Sequence, residues 1–327
     1  MTPAVYDVLT MGRSSIDLYA HQIGVPLADV TSFDAYVGGC PTNISVGTRR
    51  LGLRSAVLTA VGDDEVGDFL LRFLERETVE TRYVPRKPGR RTSAVIMSIQ
   101  PPDRFPLTFY REGCADRELT IEDVDRAPIT DAAIVVVTGT GLSHEPGRSA
   151  TKHAAARARK AGACVIVDID YRPDQWSDRE TYAKHVQELL SHARLAVGTE
   201  EEVRAATGGD ADLDRAAARL LALGLEALVL KSGSAGSRVY HANGSHTDVS
   251  PFRVEVLNVL GAGDAFASGF VFGLLQDWPY ERAARMGNAC GAIIVTRHGC
   301  ANFMPTRDEV ETFVAARGGW EWAQQPV

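Results

Sequence analysis

The sequence predicts an α/β fold in which a mostly parallel sheet is covered by helices on both faces. Short β-branched runs recur, a helix-like segment accompanies each, and 327 residues with 45% hydrophobic content can bury a large core. In chain order, a first strand ends near Asp17, and residues 18–37 show no helix period. Residues 91–112, "RTSAVIMSIQPPDRFPLTFYRE", read as two strands joined by a Pro-rich turn. Both excursions suit a small antiparallel flap better than a parallel sheet. The rhythm then becomes regular. "AIVVVTG" (133–139) precedes "GRSATKHAAARARKAG" (147–162), and "CVIVDID" (164–170) precedes "DRETYAKHVQELLSHA" (178–193). "RLAVG" (194–198) precedes "TEEEVRAATGG", and "EALVLKSG" (226–233) follows the Ala/Leu-rich stretch 211–224. Apolar strands alternating with amphipathic helices build parallel sheets, whose ligands bind beyond the carboxyl ends of the strands. "VTGTG", "DIDYRP" and "GTEE" should lie there. The reading is one domain over 1–327, with a lid formed by about 18–37 and 91–112.

Composition excludes several classes of function. A net charge of -7 disfavours nucleic acid and anionic membranes as partners, while a local pocket can still hold a small anion. The N-terminus lacks the basic and apolar regions of a secretion signal, and nowhere do eighteen uncharged apolar residues run together. The five cysteines are scattered and the eight histidines lack ligand spacing, so reduced thiols, a cytoplasmic location and no structural metal are expected.

The chemistry concentrates in "NVLGAGDAFASGF" (258–270). A glycine turn opening a helix aims backbone N–H groups and the positive dipole end at one point. Gly261, Ala262 and Gly263 would hold a transferring phosphoryl group there, and Asp264 would take the proton of an attacking hydroxyl. The plain alternative is a first-turn helix acid favoured by the dipole. No "GK" dipeptide and no GxGxxG occur, so neither a P-loop nor a dinucleotide fingerprint competes.

"VGGCPTNISVGTRRLG" (37–52) together with that turn resembles the paired signatures of the pfkB, or ribokinase-like, carbohydrate kinases, over residues 5 to 315. The resemblance implies a doubly wound, mostly parallel sheet with a β-sheet lid, and ATP and Mg2+ as cofactors. "GRSSIDLY", "FYREGCAD", "DIDYRPDQW" and "GTEEEV" further resemble the branch that phosphorylates a deoxy keto-sugar acid in myo-inositol breakdown. A 2-keto-3-deoxygluconate kinase or fructokinase, and a non-catalytic nucleotide or sugar sensor, stay open as alternatives. By resemblance, Asp17, Gly38, Gly39 and Asn43 bind the sugar hydroxyls. Arg111 and Arg172 would clamp its carboxylate bidentately; internal salt bridges to Asp168, Asp170 or Glu112 are the alternative. Pro173 biases Arg172 toward an extended backbone. Lys231, Gly233, Gly236 and Asn288 are the ATP candidates, and Glu202 would act on magnesium through water. Two departures from the family pattern are Thr199, where asparagine is common, and Asn258, where many members have aspartate. The second leaves activation by a monovalent cation open. The free edges of a β lid suggest a homo-oligomer, a dimer through the lid.

Overall fold

Alternate residues of the β-branched runs bury themselves on opposite faces of one sheet, and this period of two sets the architecture. The computed structural model describes residues 4–101 and 104–321; Pro102 and Asp103 of the expected Pro-rich turn, and the chain ends, lie outside the described residues. The strands are β1 (Tyr6–Met11), β2 (Ser15–Ile23), β3 (Phe33–Gly38), β4 (Ser55–Leu58), β5 (Val61–Gly62), β6 (Arg86–Lys87), β7 (Ser93–Ile99), β8 (Leu107–Tyr110), β9 (Ala132–Thr138), β10 (Cys164–Asp168), β11 (Leu195–Thr199), β12 (Ala227–Lys231), β13 (Ser237–His241) and β14 (His246–Val249). The helices are α1 (Cys40–Arg50), α2 (Glu65–Arg76), α3 (Ile121–Arg126), α4 (Gly147–Ala161), α5 (Arg179–Leu190), α6 (Glu200–Ala206), α7 (Leu213–Leu221), α8 (Ala262–Leu275), α9 (Tyr280–Ile294) and α10 (Arg307–Ala315).

The central sheet runs β14-β13-β12-β11-β10-β9-β1-β4. Its strands are parallel except for β13 and β14, which close one side antiparallel. Val8, Val136, Ile166, Val197 and Val229 share a core with α1, α8 and α9. Leu9, Val135, Val167, Ala196 and Leu228 share the opposite core with α4 to α7. Helix α8 is apolar on every side because it is enclosed: nine of its residues are buried. A Cβ on Gly269 would lie 2.7 Å from the Met286 carbonyl of α9, and one on Gly47 of α1 only 2.3 Å from Ser268 Oγ. That double grip holds the second turn of α8, directly behind the turn that carries Asp264. Among the described residues no helix is long and apolar enough to cross a membrane.

A second sheet, ordered β3-β2-β7-β8, stands beside the first. The expectation of a purely antiparallel flap is corrected here. β2 pairs antiparallel with β3, and β7 with β8, but β2 and β7 run parallel. The chain passes through α1, β4 and α2 before returning to β7, a crossover connection that permits parallel pairing. Asp17 also moves. The first strand stops at Met11, Gly12 turns the chain at φ 146°, and Asp17 is the third residue of β2.

Candidate active site

The sheet sets β4 on one side of β1 and the run from β9 to β12 on the other, so the strand order reverses there and a crevice is expected at its carboxyl end. The loops after β1, β9, β10 and β12 and the N-termini of α1, α6 and α8 gather their polar residues there.

Asp264 occupies the first turn of α8, and the left-handed Gly261 (φ 80°) is its N-cap. A Cβ on Gly261 would come within 3.0 Å of Cys300 Sγ, so the turn is both bent and tightly packed. The helix starts at Ala262, one step earlier than a glycine turn ending at Gly263 implies. The amides of Gly263 and Asp264 are therefore first-turn N–H groups with no helical carbonyl behind them. Asn43 Nδ2 donates to Asp264 Oδ2 at 2.6 Å, across the gap between α1 and α8. Burial raises the Asp264 carboxyl above the ordinary carboxylate range, against hydrogen bonds from the Cys40 thiol and Asn43. Asn43 Oδ1 is buried and has no hydrogen-bond partner among the described residues.

Asp17 lies beside this pair. A Cβ on Gly38 would sit 2.0 Å from Asp17 Oδ2, and one on Gly39 only 2.2 Å from the Arg13 carbonyl. The two glycines are thus required by close approach, and Gly39 also adopts φ 104° as the N-cap of α1. Ser15 Oγ donates to Asp17 Oδ1 at 2.6 Å. Burial pushes the Asp17 carboxyl up to about 6, with Arg13 and Ser15 opposing it. Arg13, absent from the sequence-derived candidates, donates from Nη1 to Ser15 Oγ at 2.6 Å and stands 5.3 Å from the centre of the Phe109 ring.

The two arginines expected to form a clamp are engaged within the protein. Arg111 Nε donates to Asp116 Oδ2 at 2.7 Å and Nη1 to Gln175 at 2.8 Å, with the Arg111 side chain only 9% exposed. Its partner is none of the three acids anticipated. Arg172 pairs with Asp170 at 2.9 Å, and its side chain stays 41% exposed. Its backbone is extended (φ -125°, ψ 102°), as the following proline requires. Burial opposes the Asp170 charge, but Arg172 and then Arg13 reverse this and hold the carboxyl below its ordinary range.

On the other side of the crevice, Lys231 Nζ reaches Asp168 Oδ2 at 3.2 Å and Glu202 Oε2 at 3.9 Å. It also underlies the glycine turn, 3.1 Å from where a Gly263 Cβ would be. Burial works against the ammonium, yet Asp168 and Glu202 outweigh it and keep Lys231 charged. Glu202 forms a capping box with Thr199: Oε2 accepts the Thr199 amide at 2.6 Å and Thr199 Oγ1 the Glu202 amide at 3.3 Å. Threonine at 199 thereby fulfils a helix-start role. No group of three or more His, Cys, Asp or Glu gathers among the described residues to hold a metal outright. The pair Asp168 and Glu202 fits Mg2+ held through water and phosphate oxygens.

Gly233 (φ 55°) leaves open space around its Cα, whereas a Cβ on Gly236 would strike the Val249 carbonyl at 2.3 Å. Gly236 is a packing residue. Asn288 donates to the carbonyls of Val249 and Ser250 at 3.1 and 3.0 Å, bracing the same segment. Asn258 is buried; Nδ2 donates to the His298 carbonyl at 3.0 Å and Oδ1 accepts the Leu260 amide at 3.0 Å. The amide ties together two loops.

Residues 6–307 match the family model described as pfkB family carbohydrate kinase. A protein of Shouchella clausii named 5-dehydro-2-deoxygluconokinase is 33% identical over 311 residues, covering 94% of this chain and 95% of its own. A fructokinase with bound ATP from Xylella fastidiosa superposes with a TM-score of 0.85 at 26% identity, covering 96% of this chain and 99% of its own. A double-mutant fructokinase from Vibrio cholerae, in its fructose, ADP and potassium ion bound form, gives a TM-score of 0.85 at 25% identity, with the same coverage.

Proposed function

This chain belongs to the pfkB family of carbohydrate kinases, ATP-dependent sugar phosphotransferases, and from that premise we propose that its acceptor is a sugar acid, 5-dehydro-2-deoxy-D-gluconate. The terminal hydroxyl would be phosphorylated, giving the 6-phosphate in myo-inositol catabolism. The name of the Shouchella clausii relative supports this substrate. The single observation that carries the chemistry is the Asn43–Asp264 contact at the first turn of α8.

Asp17 and Asn43 bind and orient the sugar hydroxyls; Asp17 is buried, Asp264 is half-buried, and desolvation raises both carboxyls. Asp264 takes the proton of the attacking hydroxyl at its carboxylate. Its raised affinity for protons makes it the stronger base, while Asn43 holds the oxygen that does not receive the proton. The amides of the Gly261–Ala262–Gly263 turn, reinforced by the α8 dipole, hold charge developing on the transferring group. Lys231 adds a fixed positive charge below that turn, and Gly233 leaves room for nucleotide along the same loop. Gly236 and Asn288 act on ATP by shaping the 249–251 segment. Magnesium, when bound with the nucleotide, neutralises phosphate oxygens, and Glu202 would reach it through water. The second sheet is the lid, closing over the crevice to exclude water. Among the described residues its outer strand β8 pairs on one side only, and Tyr110 is 58% exposed, which supports a dimer through the lid. An enzyme that draws on ATP for sugar breakdown works in the cytoplasm.

An ATP-consumption assay across acidic and neutral sugars tests the reading. The deoxy keto-sugar acid should give the highest kcat/KM, and Asp264→Asn should lower kcat by about 10²–10⁴-fold with nucleotide binding retained. Preferred turnover of fructose would move the enzyme to the fructokinases, and unchanged turnover by Asp264→Asn would remove the catalytic role.

A further inference from the structure

We propose that Arg13 is the residue that reads the carboxylate of the substrate, a specificity role resting on the sugar-acid reading above. A half-buried cation in a sugar site favours an anion, and the nearby acids are unequally available. Arg111 is neutralised by Asp116 at 2.7 Å and Arg172 by Asp170 at 2.9 Å. Lys231 is held by Asp168 and Glu202. Arg13 alone among these four cations has no carboxylate oxygen of a described residue within 4.0 Å: its side chain donates to Ser15 Oγ at 2.6 Å, and Asp17 and Asp170 feel its charge only across a longer gap.

Its position is fixed. The Phe109 ring of β8 lies 5.3 Å from the guanidinium, and cation–π contact holds the side chain without discharging it. The Arg13 carbonyl lies against Gly39, and the chain Arg13–Ser15–Asp17 is continuous through hydrogen bonds of 2.6 Å each. A molecule whose hydroxyls meet Asp17 therefore has Arg13 at the adjoining end of the site. The fork of Nη donors not engaged by Ser15 suits a carboxylate. Phe109 comes from the lid and Arg13 from the end of β1, so carboxylate binding spans both layers.

The test compares the sugar acid with its neutral counterpart carrying a hydroxymethyl group in place of the carboxylate. For Arg13→Gln, the ratio of kcat/KM for acid over neutral sugar should fall about 30-fold, or about 2 kcal/mol at 1.4 kcal/mol per tenfold. The loss should appear in KM for the acid rather than in kcat. Arg13→Lys, which keeps charge but loses the fork, should recover part of the ratio. Thermal unfolding of both variants near the wild-type midpoint confirms that each is folded; Arg13→Lys carries the test if Arg13→Gln is not. An unchanged ratio in Arg13→Gln overturns the role of Arg13 while leaving the sugar-acid reading standing. A wild-type enzyme that does not prefer the acid at all overturns both.

Discussion

Asp17→Asn should stabilise the protein while disabling it. The Asp17 carboxyl is 7% exposed, and its proton affinity rises from an ordinary 3.8 to about 6, chiefly because burial penalises the charge. A carboxyl raised on folding favours the native state when protonated and costs stability once ionised. The penalty is absent below pH 3.8 and complete above about 6. At about 1.4 kcal/mol per pH unit between the two values, ionised Asp17 costs on the order of 3 kcal/mol at pH 8 and roughly half of that at pH 5. Denaturant unfolding of wild type and Asp17→Asn at both pH values, at constant salt, measures the difference. The stability gap should widen by about 1.4 kcal/mol from pH 5 to pH 8, and subtraction removes any pH-independent effect of the amide. A gap that stays constant, or narrows as pH rises, refutes the argument that Asp17 is held in a desolvated site. The same variant should raise KM for the sugar, since the amide replaces one of the two acceptor oxygens of the carboxylate with an NH2 donor.

Two further outcomes follow from charge pairs and a third from a buried amide. Arg111→Ala leaves Asp116 buried and uncompensated, so thermal unfolding should reveal a loss of about 3–5 kcal/mol, and Arg111→Ala/Asp116→Ala should recover part of it; an unperturbed midpoint in the single variant would contradict the pairing. Arg172→Ala leaves the Asp170 charge uncompensated and should, by repelling an anionic acceptor, raise KM for the acid several-fold more than KM for ATP; equal changes in both would show that the pair does not face the acid. Turnover should differ less than about twofold between sodium, potassium and tetramethylammonium buffers, because a hydrogen-bonded amide needs no counter-ion; a strong requirement for potassium would show that the Asn258–His298 tie is not sufficient.

The sequence made the central sheet and the glycine turn legible because each is encoded locally. The runs at 133–139 and 164–170 and the helices after them need only periodicity to be found. The β13–β14 pair was also marked, by Asn243–Gly244 between two β-branched runs, a strong hairpin signal that the parallel rhythm overshadowed. Partners remote in sequence left no such trace. Nothing in "FYREGCAD" selects Asp116 over Glu112 for Arg111, and Asn43 meets Asp264 across 221 positions. Arg13 was hidden for the same reason: only the folded chain reveals that its rivals already have carboxylate partners. The parallel register of β2 and β7 depends on a connection through two helices, so the strand patterns alone could not distinguish it from a hairpin.

Strand β3 passes into α1 with Gly39 as the only residue between them. The cover of the crevice and the helix that bears Asn43 are therefore joined through a single, closely packed residue. Any swing of the cover would tug on the amide that aligns the Asp264 oxygen, and docking of a sugar would restore that alignment as the cover settles. Wasteful splitting of nucleotide in an empty enzyme would then be held back by a base that is not yet aimed.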